Sequence, residues 1–186
     1  MKHIVVFICL IPLLAIGQSK FEKEYRLKKE DVPVVATNFI EKIDHKRNLK
    51  WYKEESSDGK TVEAKFKVNK VAYSVEFDTT GNLLDIEELI RVTDLDIFLQ
   101  QDIKNQLQKR FIKFKVVKIQ KQLKGENHEL ITYFKKSNDK NVSGYELVVK
   151  GKKNKELNLY ELFFNGSGEV ESELIIVIKS GVHLEY

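Results

Sequence analysis

After residue 30 the apolar residues follow first a helical and then a strand period. The helical stripe consists of Val32, Val35, Ala36, Phe39, Ile40 and Ile43. Asp31 can cap the free amides at its start, and Pro33 fits a first turn, where no N–H is needed. From Leu49 the period is two, which is typical of half-buried strands. The sequence therefore predicts a helix followed by a sheet.

Alternation marks strands over 62–68, 71–77 and 83–89. The two residues Asn69 and Lys70 between the first two strands indicate a tight hairpin, which would pair Phe66 with Tyr73 on the inner face. Phe77 would share that inner face. Trp51 and Tyr52 are adjacent, so on a strand one should face the core and the other water. Tyr52 is the expected exposed aromatic, with Tyr133 and Tyr145 as further choices.

The same order recurs in the second half of the chain. A helix should start at Thr93 to Asp96, with an apolar stripe of Leu95, Phe98, Leu99, Ile103, Leu107 and Phe111. Strand-like runs follow at 114–120, 130–134, 145–149, 157–164 and 169–178. Residues 175–178 are apolar without alternation, which favours a central strand covered on both faces, or a strand at the junction of two units.

Two turns of one composition end comparable strands. Phe77-Asp78-Thr79-Thr80-Gly81-Asn82-Leu83 matches Phe164-Asn165-Gly166-Ser167-Gly168-Glu169-Val170 in type at each position but one. An Asp or Asn side chain can open such a turn, and glycine accepts its positive φ. We therefore predict α+β architecture in two copies, each with one helix on an antiparallel meander: a repeat at 31–91 and another at 92–180. A lysine- and asparagine-rich insertion at 124–143 should be a long hairpin or loop.

The chain ends carry their own predictions. Residues 1–17 have a basic start, an apolar run and small residues, which is typical of a signal peptide cleaved before Gln18. An uncleaved N-terminal anchor is the alternative, although the run is short for a membrane span. Residues 18–30 should be a mobile lead-in and 181–186 a tail. We expect a periplasmic or secreted protein with no transmembrane span after cleavage.

Composition and motifs argue against an enzyme. The one cysteine falls within the signal peptide, so thiol catalysis and cysteine-bound metal are excluded for the exported chain. His45, His128 and His183 lack metal-ligand spacing and should be solvated. Glu87 and Glu88 should point to opposite faces of a strand, and Glu171 and Glu173 to one wet face. We expect no catalytic residue, cofactor or metal site, and a net charge of +4 gives no reason to expect nucleic acid.

The strongest charge feature is an acid-free basic segment from Lys104 to Lys124. It contains Lys104, Lys109, Arg110, Lys113, Lys115, Lys118, Lys121 and Lys124. The bases at the helix end complement its dipole, but those on the following strand need another explanation. That strand could meet an acidic partner, anionic lipid or polysaccharide, or could be a solvated edge protected by lysines.

The residues that carry these patterns resemble the PepSY-like, β-lactamase-inhibitor-protein-like domains of secreted Bacteroidetes proteins. The shared features are the Asp31-Val32-Pro33 helix start, Trp51 on the next strand, the Phe77–Leu83 turn, and Tyr160-Glu161-Leu162-Phe163-Phe164-Asn165-x-x-Gly168. The second unit lacks the helix-start proline and a match for Trp51. The resemblance implies helices packed on a sheet whose other face is open, and partners that are proteins, peptidases included.

From the alternation and this resemblance we predict a binding module whose open sheet face contacts an envelope protein or peptide. The alternative is a carrier of a small apolar ligand held between helices and sheet. Ser74 should lie on the open face, beside the candidate partner-binding residues Tyr52, Lys65, Lys67, Glu76, Lys113, Lys115 and Lys118.

Overall fold

The computed structural model describes residues 19–20, 22–57, 59–136 and 139–177. The α-helices are α1 (Val34–Glu41), α2 (Ile97–Arg110) and α3 (Asn127–Lys135). The strands are β1 (Ser19–Lys20), β2 (Glu22–Leu27), β3 (Arg47–Ser56), β4 (Gly59–Val68), β5 (Val71–Phe77), β6 (Leu83–Leu89), β7 (Lys113–Leu123), β8 (Val142–Lys153), β9 (Glu156–Asn165) and β10 (Val170–Ile176). Short 3-10 turns occupy Lys29–Asp31, Val92–Asp94 and Asp139–Asn141.

All ten strands form one sheet, in which β2 to β10 lie side by side in chain order. Each of these nine pairs antiparallel with its neighbours, whereas the two-residue β1 joins β10 in parallel. The first and second halves of the chain meet where β6 pairs with β7. The predicted α+β class is therefore confirmed, and the meander is continuous across both halves.

All three helices pack on the same face of the sheet. Buried residues of α1 and α3 join the inward residues of β3 to β7 in one core, which includes Phe39, Val75 and Tyr133. Leu99, Ile103 and Leu107 of α2 join those of β7 to β9 in a second core. Each helix has one apolar stripe and the sheet has one apolar face, so each buries the other.

The predicted turns are present. Asn69 and Lys70 have φ values of 50° and 73°, as a two-residue hairpin of this handedness requires, and Phe66 pairs with Tyr73. At the first corner the Asp78 carboxylate accepts hydrogen bonds from the amides of Thr80 and Asn82. These Asx-type bonds explain why an acidic residue opens the turn.

The second corner makes the same bonds. The side-chain oxygen of Asn165 accepts from the amides of Ser167 and Glu169, each at 3.0 Å. Gly81 and Gly168 have φ values of 95° and 80°. A Cβ on either would crowd a helix, α1 in the first case and α2 in the second, so each glycine allows its corner to approach one.

The prediction for residues 124–143 was wrong. Residues 130–134, expected as a strand, belong to helix α3, and the segment is not a long hairpin or loop. Leu130 and Tyr133 are buried in the core of the first half, and the ring of Phe134 contacts Tyr73 at a centroid distance of 5.0 Å. A five-residue apolar run fits either period, and only these distant contacts select the helix.

The expectations at the chain ends also changed. Part of the lead-in expected at 18–30 is strand β2, which pairs with β3 along its whole length. Residues 175 and 176 end β10, which lies near the sheet edge beside β1 and is only half-buried, so the central, doubly covered strand was wrong. The signal peptide at 1–17, the tail at 181–186 and His183 lie outside the described residues.

Three predicted burial positions differ. Val35 and Phe98 are exposed, Phe98 to 79%, because each lies beside the stripe that its helix turns toward the sheet. Helix α2 begins at Ile97 and buries residues 99, 103 and 107, so position 98 points away. Tyr133, an expected exposed aromatic, is buried and donates a short hydrogen bond to Glu88.

None of the helices in the described residues is long and apolar enough to span a membrane.

Candidate binding surface on the open face of the sheet

Strand alternation defines the open face, which no helix of the described residues covers. Val75 and Ile86 face the helices, so their neighbours on β5 and β6 face the other way. Cross-strand register then assigns the remaining positions. The open-face residues on the first half include Tyr52, Glu63, Lys65, Lys67, Ser74, Glu76, Asp85 and Glu87.

The centre of this face is acidic and buried. Asp85 is opposite Glu76, and Glu87 is opposite Ser74 on one side and Gln122 on the other. Asp85 is only 7% exposed although it lies on the uncovered face. Its neighbours on β5 and β7 must therefore enclose it, because no helix does so there.

Burial perturbs these carboxyl groups. Desolvation, together with the nearby carboxylate of Glu76, raises the pKa of Asp85 to about 7. Desolvation also raises the pKa of Glu87 well above its usual range, with Glu146 as the next contributor. Burial raises the pKa of Glu63 too, although Lys65 opposes the shift. Burial therefore disfavours the charged form of several acids on one face.

Glutamines of β7 contact this acidic centre. Gln120 donates from Nε2 to Glu87 Oε2 at 2.6 Å, and Gln122 donates from Nε2 to Asp85 Oδ2 at 3.1 Å. Gln120 is 6% exposed, and its Oε1 accepts no hydrogen bond from any described residue. Glu146 is opposite Gln120 on β8, and its Oε1 is 3.9 Å from Nζ of Lys118. The centre thus has many acceptors and few donors.

A second acidic group, on β2 to β4, is already neutralised. Glu24, Glu54 and Glu63 each place one carboxylate oxygen within 4.8 Å of the others, a spacing that could hold a metal ion. The ammonium of Lys65 is 2.7 Å from Glu24 Oε1 and 3.2 Å from Glu63 Oε2. Burial alone would lower the pKa of Lys65, but these carboxylates outweigh it and raise the pKa above its usual range. Lysine therefore supplies the cation here.

The second half of the open face carries a group of apolar residues around Glu161, which we call the apolar shelf: Val148, Leu159, Phe163, Leu174 and Ile176. Val148 is buried and the other four are half-buried. The phenyl ring of Phe163 lies over Gly144, where any Cβ would collide with it. Accessible apolar groups that lie together on an uncovered sheet face are a feature of protein-interaction surfaces.

The basic segment is divided between the two faces. Lys113 and Lys115 are on the open face, and a bulge between Val116 and Lys118 turns Lys118 to that face as well. Lys121 instead faces the helices, opposite Glu88. Strand β7 pairs with β8 from Lys113 to Leu123 but with β6 only from Gln120 to Leu123. The three open-face lysines therefore lie where β7 has one strand neighbour, and the explanation of lysines protecting a sheet edge stays a prediction. On β8, Lys150 and Lys152 are opposite Lys115 and Lys113, which concentrates positive charge at one end of the shelf.

The structure places the seven candidate partner-binding residues on one face but does not bring them together. Tyr52 is half-buried and contacts the cations of Arg26 and Lys65 at 5.2 and 5.1 Å from its ring centroid. Glu76 accepts a hydrogen bond from Thr61, and Lys67 is exposed. Lys113, Lys115 and Lys118 lie across the sheet on β7.

Sequence reasoning missed the buried acids. Glu87 and Glu88 do point to opposite faces, as predicted, but no partner for Glu87 was foreseen. Asp85 and Glu87 flank Ile86, while Gln120 and Gln122 flank Lys121, a polar alternation that could have suggested one shared face. Glu173 was predicted on a wet face with Glu171, but a bulge turns it to the helix side, where it contacts Lys153 and Arg110.

A cleft of about 460 Å³ opens between α1 and the first corner. Phe39, Phe77 and Leu83 contribute apolar walls, while Asn38 and Lys42 contribute polar ones. His45 lies at a neighbouring, smaller cleft and His128 lies on α3, so neither combines with the other.

No protein-family model and no curated protein sequence matches this chain. Two solved structures share its fold. A BLIP-like protein from Bacteroides fragilis is 12% identical, with a TM-score of 0.53, over 82% of this chain and 92% of that one. A DUF2874 family protein from Bacteroides ovatus is 13% identical, with a TM-score of 0.54, over 77% and 87%. The fold is BLIP-like, as the sequence resemblance implied; the PepSY-like part of that resemblance stays a prediction.

Proposed function

We propose that this protein is an exported, non-enzymatic binding module of the bacterial envelope that contacts a partner protein through the open face of its sheet. The observation that carries the proposal is the combination on that uncovered face of desolvated carboxyl groups and a half-exposed apolar shelf. Helices cover the opposite face, so the open face is the one whose strand residues a partner can contact directly. The BLIP-like description of one structural neighbour, which refers to a β-lactamase inhibitor protein, supports an inhibitor-like role.

The apolar shelf offers the sharpest test of the face. Phe163→Ala removes a ring from the open face, and Phe98→Ala removes an exposed ring from the helix side. With the protein immobilised against envelope extract, the Phe163 variant should lose the captured partner and the Phe98 variant should retain it. The reverse result would place binding on the helix side and refute the proposal.

Charge reversal needs care at the other end of the face. Lys67 is exposed, so Lys67→Glu tests the surface with little effect on folding. Lys65 is paired with Glu24 and Glu63, and Lys65→Glu would place three carboxylates together without a cation. Loss of binding in the Lys65 variant alone therefore reports damage to the fold, whereas loss with Lys67→Glu supports the proposed surface.

We infer further that the two halves are copies of one plan. The order helix and then four strands occurs twice, as α1 with β3 to β6 and as α2 with β7 to β10. The corners at Asp78 and Asn165 make matching hydrogen bonds. Helix α3 interrupts the second copy and packs on the first. Superposition of the two helix-and-four-strand units with their corners out of register would refute the inference.

A carrier of a small apolar ligand is the second candidate, favoured by the cleft beside α1. Its volume of about 460 Å³ lies within the usual range for ligand sites of roughly 300–1,000 Å³. A fluorescent apolar probe should bind there, and Asn38→Trp should weaken that binding, because Asn38 lines the cleft from an exposed position of α1. Binding that is unaffected by this substitution would exclude the cleft.

A further inference from the structure

The acidic side chains at the centre of the open face are paired mainly with glutamine amides. Asp85 and Glu87 alternate on β6, with Gln120 on β7 and Glu146 on β8 completing the group, which we name the acidic floor. Among these four side chains, the described donors are amide groups of glutamine and the distant ammonium of Lys118. These neutral amides do not favour the charged form of the acids as strongly as a cation would.

Gln120 shows independently that a donor is missing. Its Nε2 binds Glu87, which aims the amide into the acidic floor, while its Oε1 is buried and accepts nothing from the described residues. Rotating the amide would set its oxygen against the Glu87 carboxyl and leave the NH₂ group without that acceptor. Either orientation leaves an unmet hydrogen-bonding group beside the carboxylates.

We propose that the acidic floor receives the guanidinium group of an arginine that a partner protein inserts into the open face. This inference rests on the function proposed above and names the partner's chemistry. A guanidinium carries five N–H donors, no acceptor and a permanent charge, which complements two carboxylates, a third acid and one amide oxygen. Its planar fork can reach acceptors on neighbouring strands at once.

A metal ion fits this group less well. In the described part of the chain, the side chains that gather three acidic ligand atoms within 4.8 Å are Glu24, Glu54 and Glu63, and no such set includes Asp85 or Glu87. One ion therefore could not bind the acids of the floor together, whereas a guanidinium spreads its donors over a wider area. Lys65, on the same face, is engaged as well, since it binds Glu24 and Glu63.

The surroundings indicate what flanks the arginine in the partner. Phe163 is opposite Glu146, and Val148 is opposite Lys118, so the apolar shelf begins one strand from the floor. A partner segment in which apolar side chains follow an arginine would contact both the acidic floor and the apolar shelf. The lysines at the far end of the shelf, such as Lys115 and Lys150, would repel a second basic group placed there.

Arginine binding should depend on pH. Besides desolvation, four charged groups act on the pKa of Asp85: Glu76 on β5, Lys124 after β7, Glu146 on β8 and Glu63 on β4. Of these only Lys124 favours the charged form, so the carboxyl group retains its proton near neutrality. A bound guanidinium would favour deprotonation, and affinity should therefore rise as the pH passes from about 6 to about 8.

The test uses a capped phenylalanine-arginine-leucine peptide and a matched peptide with citrulline, which keeps the shape of arginine without its charge. Titrated into the ¹⁵N-labelled protein, the arginine peptide should shift amides of β6 to β8. The citrulline peptide should bind about tenfold or more weakly than the arginine peptide, because it cannot form a charge-assisted hydrogen bond. Equal binding of both peptides, no binding, or shifts confined to other strands would overturn the inference.

Substitutions locate the effect. The double variant Asp85→Asn/Glu87→Gln keeps shape and removes both charges, and should abolish the preference for arginine over citrulline. The control Glu156→Gln/Glu171→Gln makes the same charge change at exposed positions of β9 and β10 and should keep the preference. An unaltered preference in the first variant refutes the acidic floor. If a natural partner still binds that variant fully but is lost with Phe163→Ala, the proposed function stands and this inference alone fails.

Discussion

Replacing Asp85 with asparagine should stabilise the protein, and more strongly at high pH than at low pH. The substitution keeps the shape of the side chain and an oxygen that can accept from Nε2 of Gln122, now 3.1 Å from Asp85 Oδ2. It removes a carboxyl group that is buried among other acids, Glu76 nearest in effect. An unpaired buried charge costs more than the hydrogen bond returns, so its removal should be favourable.

The pKa of Asp85 sets the size of the stabilisation expected for Asp85→Asn. The unfolded chain titrates near the ordinary value of 3.8, and the folded pKa is about 7. Between these values the folded state holds a proton that the unfolded state has lost, so the free energy of unfolding falls as pH rises. The free energy of unfolding falls by about 1.4 kcal/mol per pH unit between the two pKa values. The total fall reaches at most roughly 4 kcal/mol above pH 7 and is under about 2 kcal/mol at pH 5.

Urea unfolding of wild type and Asp85→Asn at about pH 5 and about pH 8 measures this difference. The gain in unfolding free energy should be at least about twice as large at the higher pH. Glu156→Gln, at an exposed position, serves as the control and should show no such dependence. A pH-independent effect, or a destabilised variant at pH 8, would show that Asp85 is charged and well satisfied in the fold.

Three further substitutions test the architecture by chemical unfolding. Gly81→Ala should cost about 1–3 kcal/mol, because its φ is 95° and an added Cβ would be 2.9 Å from Pro33 Cβ, whereas Gly166→Ala meets open space and should be neutral. Leu130→Ala should cost about 2–5 kcal/mol if α3 belongs to the core, and under about 1 kcal/mol if it does not. Asp96→Ala should cost about 1 kcal/mol by removing the cap of α2, and an unchanged midpoint would contradict that role.

Local patterns predicted the first half of the fold well, because its signals are local. The hairpin at Asn69 needs only two residues with positive φ between alternating strands. The corners need one Asp or Asn and one glycine each. Those requirements are met within a few residues, so they can be recognised without knowing what lies across the sheet.

The candidate site was less accessible to such reasoning. The face of Lys65 or Glu76 follows from alternation, and both were placed correctly on the open side. The burial of Asp85 depends on neighbours from β5 and β7, which are distant in sequence. The bulge near Lys118 also decides which lysines share that face, and nothing in the local pattern marks it.

The sequence by itself determined the periods, the turns and the two-sided character of each strand, since these depend on neighbours within one turn or one hairpin. Tertiary structure alone decided three matters: that residues 130–134 form a helix, that β10 lies near an edge, and that Asp85 is buried beside the half-buried Glu87. Each depends on what packs from far along the chain. Burial, and with it the charge state of an acid, is a property of the assembled sheet.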